Sequence, residues 1–184
     1  MDTHNIILDC DWFVASYERL IKQIAFVDCF TGAEYLYVFN FPSELKRFKC
    51  SFESQARHSH GIPWNKRGSY HLGEVCCVLQ TIHYVVNAGS SKVVFWAKGG
   101  EKCDIFSRHG ITVNNLETIG APKFSVLSNQ RPTTLLKAQT FAKWFRGVNT
   151  FFNQPMTRET FRPITEDQST GDDSSLGLRV SPEV

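Results

Sequence analysis

The chain has 184 residues, 42% of them hydrophobic and 13% aromatic, which is material for one core and too little for two ordinary domains. The formal charge of +2 is unevenly spread: residues 154–184 hold three Arg against six acidic residues, so the rest of the chain is mildly basic and tolerates a polyanionic partner without requiring one. No apolar run reaches eighteen residues, and the opening MDTHNIILDC has neither a basic segment nor a long apolar one. Neither a membrane span nor a secretory signal is therefore expected, and the implied setting is intracellular, cytoplasm or nucleus.

Residues 4–13 form a short apolar run interrupted by Asp9 and Asp11 and read as a buried strand. A second strand is expected over 22–30 and a third over 34–40, joined by Thr31-Gly32 as a hairpin and ended by Pro42. Residues 43–68 show no single periodicity. They carry Lys46, Arg47, Lys49, Arg57, Lys66 and Arg67 around His58-Ser-His60-Gly-Ile-Pro-Trp64 and read as a long functional loop. The clearest helix runs over 72–86, where Leu72, Val75, Cys76, Leu79, Ile82, His83 and Val86 recur at helical spacing before an Asn87-Ala88-Gly89 stop. A strand at 92–97, a helix at 101–109 behind Gly99-Gly100, a strand at 111–116 and a helix at 133–148 complete the body. The proline- and acid-containing stretch 154–184 is too poor in apolar residues to offset its ordering entropy and is expected to be a disordered acidic tail behind a 1–153 domain. The six cysteines form no C-x-x-C pair and read as small buried hydrophobes rather than ligands.

Three strands followed by helix, strand, helix, strand and helix predict an α/β domain with one mixed five-stranded sheet. The first three strands form an antiparallel meander, and the last two lie parallel because each is reached through a helical crossover. This order, over residues 4–150, resembles the ribonuclease H-like superfamily and within it the DEDD-type 3′–5′ exonucleases. Those enzymes place an Asp-x-Glu pair on the first strand, where this chain has Asp9-Cys-Asp11. Stretches like 58–64 and Lys98-Gly-Gly-Glu-Lys102 are also similar to ones in proteins of animal, viral and transposon-related sources, a likeness that implies no function.

The resemblance implies phosphodiester hydrolysis by two magnesium or manganese ions held by carboxylates, one activating water and the other stabilising the leaving oxygen. Asp9 and Asp11, two apart on a strand, point to one face. Two carboxylates side by side in an apolar strand repel each other unless a cation or basic partner is present. A further acidic ligand is expected from Glu101 or Asp104, and the residues do not choose between them. The family has an aspartate on its last helix, preceded by a His or Tyr. Here residues 133–145 contain no Asp, Glu, His or Tyr, and Lys137 stands where the acid is expected. An ammonium there neutralises a site but cannot ligate magnesium. His58 and His60 are the candidates for a replacement base or ligand, or are surface histidines. Arg57, Trp64, Lys66 and Arg67 form a candidate nucleic-acid surface, with the indole stacking a base or else anchoring the loop to the core. Lys98 and Lys102, flanking Gly99-Gly100, are candidates to face a phosphate. The sequence thus points to an exonuclease-like domain that binds single-stranded RNA or DNA, active with Mg2+ or Mn2+ or else a pseudo-nuclease. The alternative is a protein-interaction module working through residues 43–68 and the acidic tail.

Overall fold

The computed structural model describes residues 3–87 and 92–153, with side chains described to 84 and to 148 in the helices ending at 87 and 153. The expected tail, 154–184, and most of the Asn87-Ala88-Gly89 stop lie outside them.

Strand β1 (Thr3–Ala15) is the spine of the sheet, hydrogen-bonded to an antiparallel neighbour on one side and a parallel one on the other. Its residues alternate between two cores. Ile6, Leu8 and Cys10 belong to one, and Ile7 to the other, as the two-residue period of a strand buried on both faces requires. A two-residue turn with positive φ at Ser16 (47°) and Tyr17 (72°) leads into β2 (Glu18–Asp28), the backbone of a type I′ hairpin without its usual Asn-Gly. Pairing jumps from Asp11–Gln23 to Trp12–Ile21 and leaves Lys22 as the extra residue of a bulge. Strand β3 (Glu34–Asn40) completes the antiparallel meander.

The segment expected to be a loop is instead largely helical: a 3-10 helix at Ser43–Phe48 leads directly into α1 (Lys49–His58). Phe52 is the one buried side chain of α1, which is why no amphipathic period announced the helix. Phe52 packs with Phe13, Phe41, Phe48 and Trp64 in a small third core. The chain then returns along the sheet as β4 (Tyr70–His71), paired in parallel with β3. Gly68 makes this return possible. Asn40 Nδ2 donates to its carbonyl at 2.7 Å, its N–H donates to Asn40 Oδ1 at 2.9 Å, and a Cβ there would lie 1.9 Å from the Val38 carbonyl oxygen.

Helix α2 (Val75–Asn87) buries Val75, Val78, Leu79 and Ile82 against the first core; Cys76 and His83, expected on that stripe, are instead exposed at its margin, as is Cys77, and Val78 takes the core position. Cys50 is exposed as well, so burial of the cysteines is complete only at Cys10. Next come β5 (Lys92–Ala97), α3 (Gly100–Arg108), β6 (Val113–Asn115), a short α4 (Phe124–Leu127) and the long α5 (Thr134–Asn153). Strand β5 lies parallel to β1, and β6 parallel to β5, as helical crossovers require. The sheet is six-stranded, in the order β4-β3-β2-β1-β5-β6. The α/β class and mixed sheet are as expected, and the count of five is corrected to six by the two-residue β4. Helices α2 and α3 lie over one core, while α5 covers the other through Ala138, Phe141, Ala142 and Phe145. No helix among the described residues is long and apolar enough to cross a membrane.

Candidate functional site

Strand alternation places Asp9 and Asp11 on the same face of β1 as Ile7, and α5 covers that face. Asp9 is 1% exposed and Asp11 8%, a degree of burial that two like charges do not sustain without compensation. Two lysines supply it. Lys102, from the first turn of α3, is ion-paired through Nζ with Asp9 Oδ1. Lys137, on α5, lies 2.7 Å and 2.9 Å from the two oxygens of Asp11 and 3.1 Å from Asp9 Oδ2. Lys137 is therefore shared by both acids, and the centre holds two carboxylates and two ammoniums.

A second layer fixes the geometry. Thr133 caps α5 by accepting from the Leu136 N–H through Oγ1 at 3.2 Å. Thr134, one residue on, is fully buried and donates from Oγ1 to Asp11 Oδ2 at 2.7 Å. The amide of Gln23, Asp11's cross-strand partner, lies 2.8 Å from the same hydroxyl. A hydroxyl has one proton, and here it goes to the carboxylate. The amide is consequently satisfied when its nitrogen faces Thr134, which also provides for the otherwise unpartnered Gln23 Nε2. Thr134 and Lys137 are three apart on α5 and share a face.

The two acids differ electrostatically. Burial pushes the Asp9 carboxyl above its usual range, against the pull of Lys102 and Lys137. Asp11 is also pushed up by burial, but the Lys137 ammonium and the Thr134 hydroxyl hold it below the usual carboxylate range. Lys137 would lose affinity for its proton through burial, yet the facing Asp9 and Asp11 raise it well above an ordinary lysine.

Beside Asp11 and Lys137 opens a cleft of about 1030 Å³, bordered by Trp12, His58, His60 and Phe124. His58 is the exposed last residue of α1. The half-buried His60 ring packs edge-on against Phe13, with centroids 4.7 Å apart, and accepts from the Ile62 N–H at Nδ1. Burial lowers its pKa, so it faces the cleft as a neutral imidazole at neutral pH. The structure thus gathers Asp9 and Asp11 into one centre and sets both histidines on the cleft beside it.

Glu101 and Asp104 do not join. Glu101 is exposed and bonded to Arg19 at 2.7 Å, with the guanidinium over the Trp12 ring. Asp104 is exposed on α3. Among the described residues, no three His, Cys, Asp or Glu side chains converge as metal ligands. The donor set does not fit a divalent cation either: the carboxylate oxygens of Asp9 and Asp11 face the ammonium groups of Lys102 and Lys137, which would repel such an ion.

The candidate nucleic-acid residues divide. Lys98 turns to the 3-10 helix at Leu116–Ile119 and the loop beyond it, donating to Glu117 Oε1 at 3.0 Å and to the Ala121 carbonyl at 2.8 Å. Lys102 faces Asp9. Lys66 and Arg67 are exposed. Arg57 and Trp64 border a second cleft. The half-buried Trp64 packs on Phe52, with centroids 6.2 Å apart, so it anchors the segment while lining that cleft.

Sequence reasoning placed Lys137 where an acid was expected and missed Gln23 and Thr134. The one available signal was the i, i+3 spacing of Thr134 and Lys137 on the helix expected to cover the first strand. The chain matches no protein-family model and no curated protein sequence.

Proposed function

We propose that this chain is a nucleic-acid-binding domain of the ribonuclease H-like type in which lysines have replaced the metal ions: a pseudo-nuclease. The observation that carries this reading is Lys137, shared between Asp9 and Asp11 from the helix and position where an exonuclease of that family holds an acid. The central strand with its acid pair, the antiparallel meander and the two parallel crossover strands support the fold assignment. Two ammoniums supply as much positive charge as one divalent cation, so the acid pair is neutralised, but neither carries a water to be activated. What remains is a binding surface: a wide cleft whose polar edge is set by Asp11, Lys137, His58 and His60, on a body that carries the chain's positive charge.

The test combines binding and turnover. Purified chain is titrated into labelled single-stranded RNA and DNA with magnesium, with manganese and with chelator, beside Asp9→Asn. The expected result is salt-sensitive binding that is the same in all three conditions, with no shortening of the strand. Metal-dependent shortening that Asp9→Asn abolishes would establish an active nuclease instead. Absence of binding to either strand type would favour the protein-interaction reading.

A further inference from the structure

The second cleft, of about 700 Å³, lies along α1 and the 3-10 helix before it and is bordered by Lys46, Lys49, Glu53, Arg57, Trp64 and Arg131. Four cations face one carboxylate, and that carboxylate is only loosely engaged, with Glu53 Oε1 3.8 Å from Lys49 Nζ on an exposed pair. Among the described residues, Lys46, Arg57 and Arg131 have no carboxylate within 4 Å. This is the reverse of the Asp9–Lys137 centre, where every ammonium has its acid.

Arg131 reaches the cleft from the segment before α5, more than seventy residues along the chain from α1, and its place is prepared. Gly61 has φ +72°, and a Cβ on it would lie 2.4 Å from Arg131 Nη2 and 2.9 Å from Cζ. The guanidinium therefore rests on bare backbone that any side chain would obstruct. Trp64, half-buried and packed on Phe52, lines the same cleft as Arg57. A row of uncompensated cations next to a fixed aromatic is the chemistry that tracks a phosphodiester backbone and stacks a base. The first cleft is bordered by the opposite side of α1, at Ser54, Gln55 and His58, and by Gln130 and Pro132 on either side of Arg131. The two clefts thus share α1 and the 130–132 segment as a common rim.

We propose that the Lys46–Lys49–Arg57–Arg131 cleft is the track for single-stranded nucleic acid, with the four cations on successive phosphates and Trp64 against a base. This rests on the nucleic-acid-binding reading above. The full chain is tested by fluorescence polarisation with labelled single-stranded RNA and DNA over a range of salt, against two double variants. Arg57→Glu/Arg131→Glu changes the cleft, and Lys92→Glu/Arg108→Glu makes the same charge change at exposed positions that line neither cleft. Circular dichroism and thermal melting verify that both are folded, as reversal at exposed side chains predicts. The cleft variant should bind about 100-fold more weakly and lower the slope of log K against log salt by about 1.4, since two phosphates are no longer neutralised and each accounts for roughly 0.7 on a single strand. The outside variant should lose less than about 5-fold and keep its slope, since its charges act only through the screened field. Equal losses in the two variants, with wild type binding, would overturn the track and leave the nucleic-acid reading standing. Absence of wild-type binding would overturn both.

Discussion

The molecule holds two concentrations of charge on either side of α1, and they obey opposite rules. In the centre between β1, α3 and α5, two buried acids and two largely buried lysines neutralise one another. In the cleft on the other side, four cations face a single exposed acid. The first arrangement is a closed electrostatic unit whose members are costly to remove one at a time, because the survivors are left charged in a poor solvent. The second is open, each side chain is hydrated, and none is needed by the fold. Charge that the structure has already answered is architecture, and charge left unanswered at the surface is available to a partner.

The largest effect that separates the two regions is on stability. Lys137→Ala strips both Asp9 and Asp11 of a shared cation and should cost about 3–5 kcal/mol in denaturant unfolding, whereas Lys46→Ala, in the open cleft, should stay within about 0.5 kcal/mol of wild type. Comparable losses in the two would break the contrast. Next comes the tie that carries α1 to the sheet. Gly68→Ala drives a methyl into the Val38 carbonyl and should cost about 2–4 kcal/mol, with faster proteolysis between residues 43 and 68 than elsewhere in the chain.

A smaller effect is set by pH, through Lys22. The bulge turns this fully buried side chain away from any acid, to donate to the carbonyls of Phe39 at 2.6 Å and Lys66 at 2.7 Å and to sit over the Phe41 ring. Burial and the nearby Lys66 charge pull its pKa down to about 8. Between that value and the ordinary lysine value the unfolded chain binds more protons than the folded one, so stability should rise with pH from about 8 to 10.5, by up to about 1.4 kcal/mol per pH unit. Lys22→Met should flatten the rise. Asp11 adds a slope of the same sign in the acid range: its folded pKa is lowered, so its contribution is present above the usual carboxylate range and is lost as pH falls through the folded value. Asp11→Asn should therefore weaken acid unfolding without touching the alkaline slope. The smallest effect is at the hairpin, where replacing Ser16-Tyr17 by Asn-Gly should stabilise the chain by roughly 1 kcal/mol by relieving two left-handed residues.

How much of this was legible in the sequence depends on what each element buries. The meander, α2, β5, α3 and α5 announced themselves because each is long or bounded by turn residues and puts several apolar side chains on a core, and the three-residue β6 was marked by the buried Ile111 and Leu116 on either side of it. Helix α1 did not, since Phe52 is its one buried side chain, with only Ala56 packed beside it, and most of the rest of its surface is polar. β4, two residues long, has no period to detect. In the centre, Asp9, Asp11 and the anomalous Lys137 were visible as residues. The direction in which Lys98 and Lys102 turn was not, because a lysine beside a glycine pair reads the same whether it faces solvent or a buried acid. Arg131 escaped for a tertiary reason: its partner surface, Gly61, is seventy residues away in sequence, and the φ of +72° that suits it to the contact is a property of the folded loop.

The most direct test of the central claim, that lysines answer the acid pair in place of metal, is manganese titration of the purified chain by isothermal calorimetry at neutral pH, with Lys102→Ala/Asp9→Asn as control. The account predicts no saturable uptake of manganese by wild type and a melting temperature unchanged by chelator. Stoichiometric binding that the double variant loses, with a rise in melting temperature on adding the ion, would contradict it.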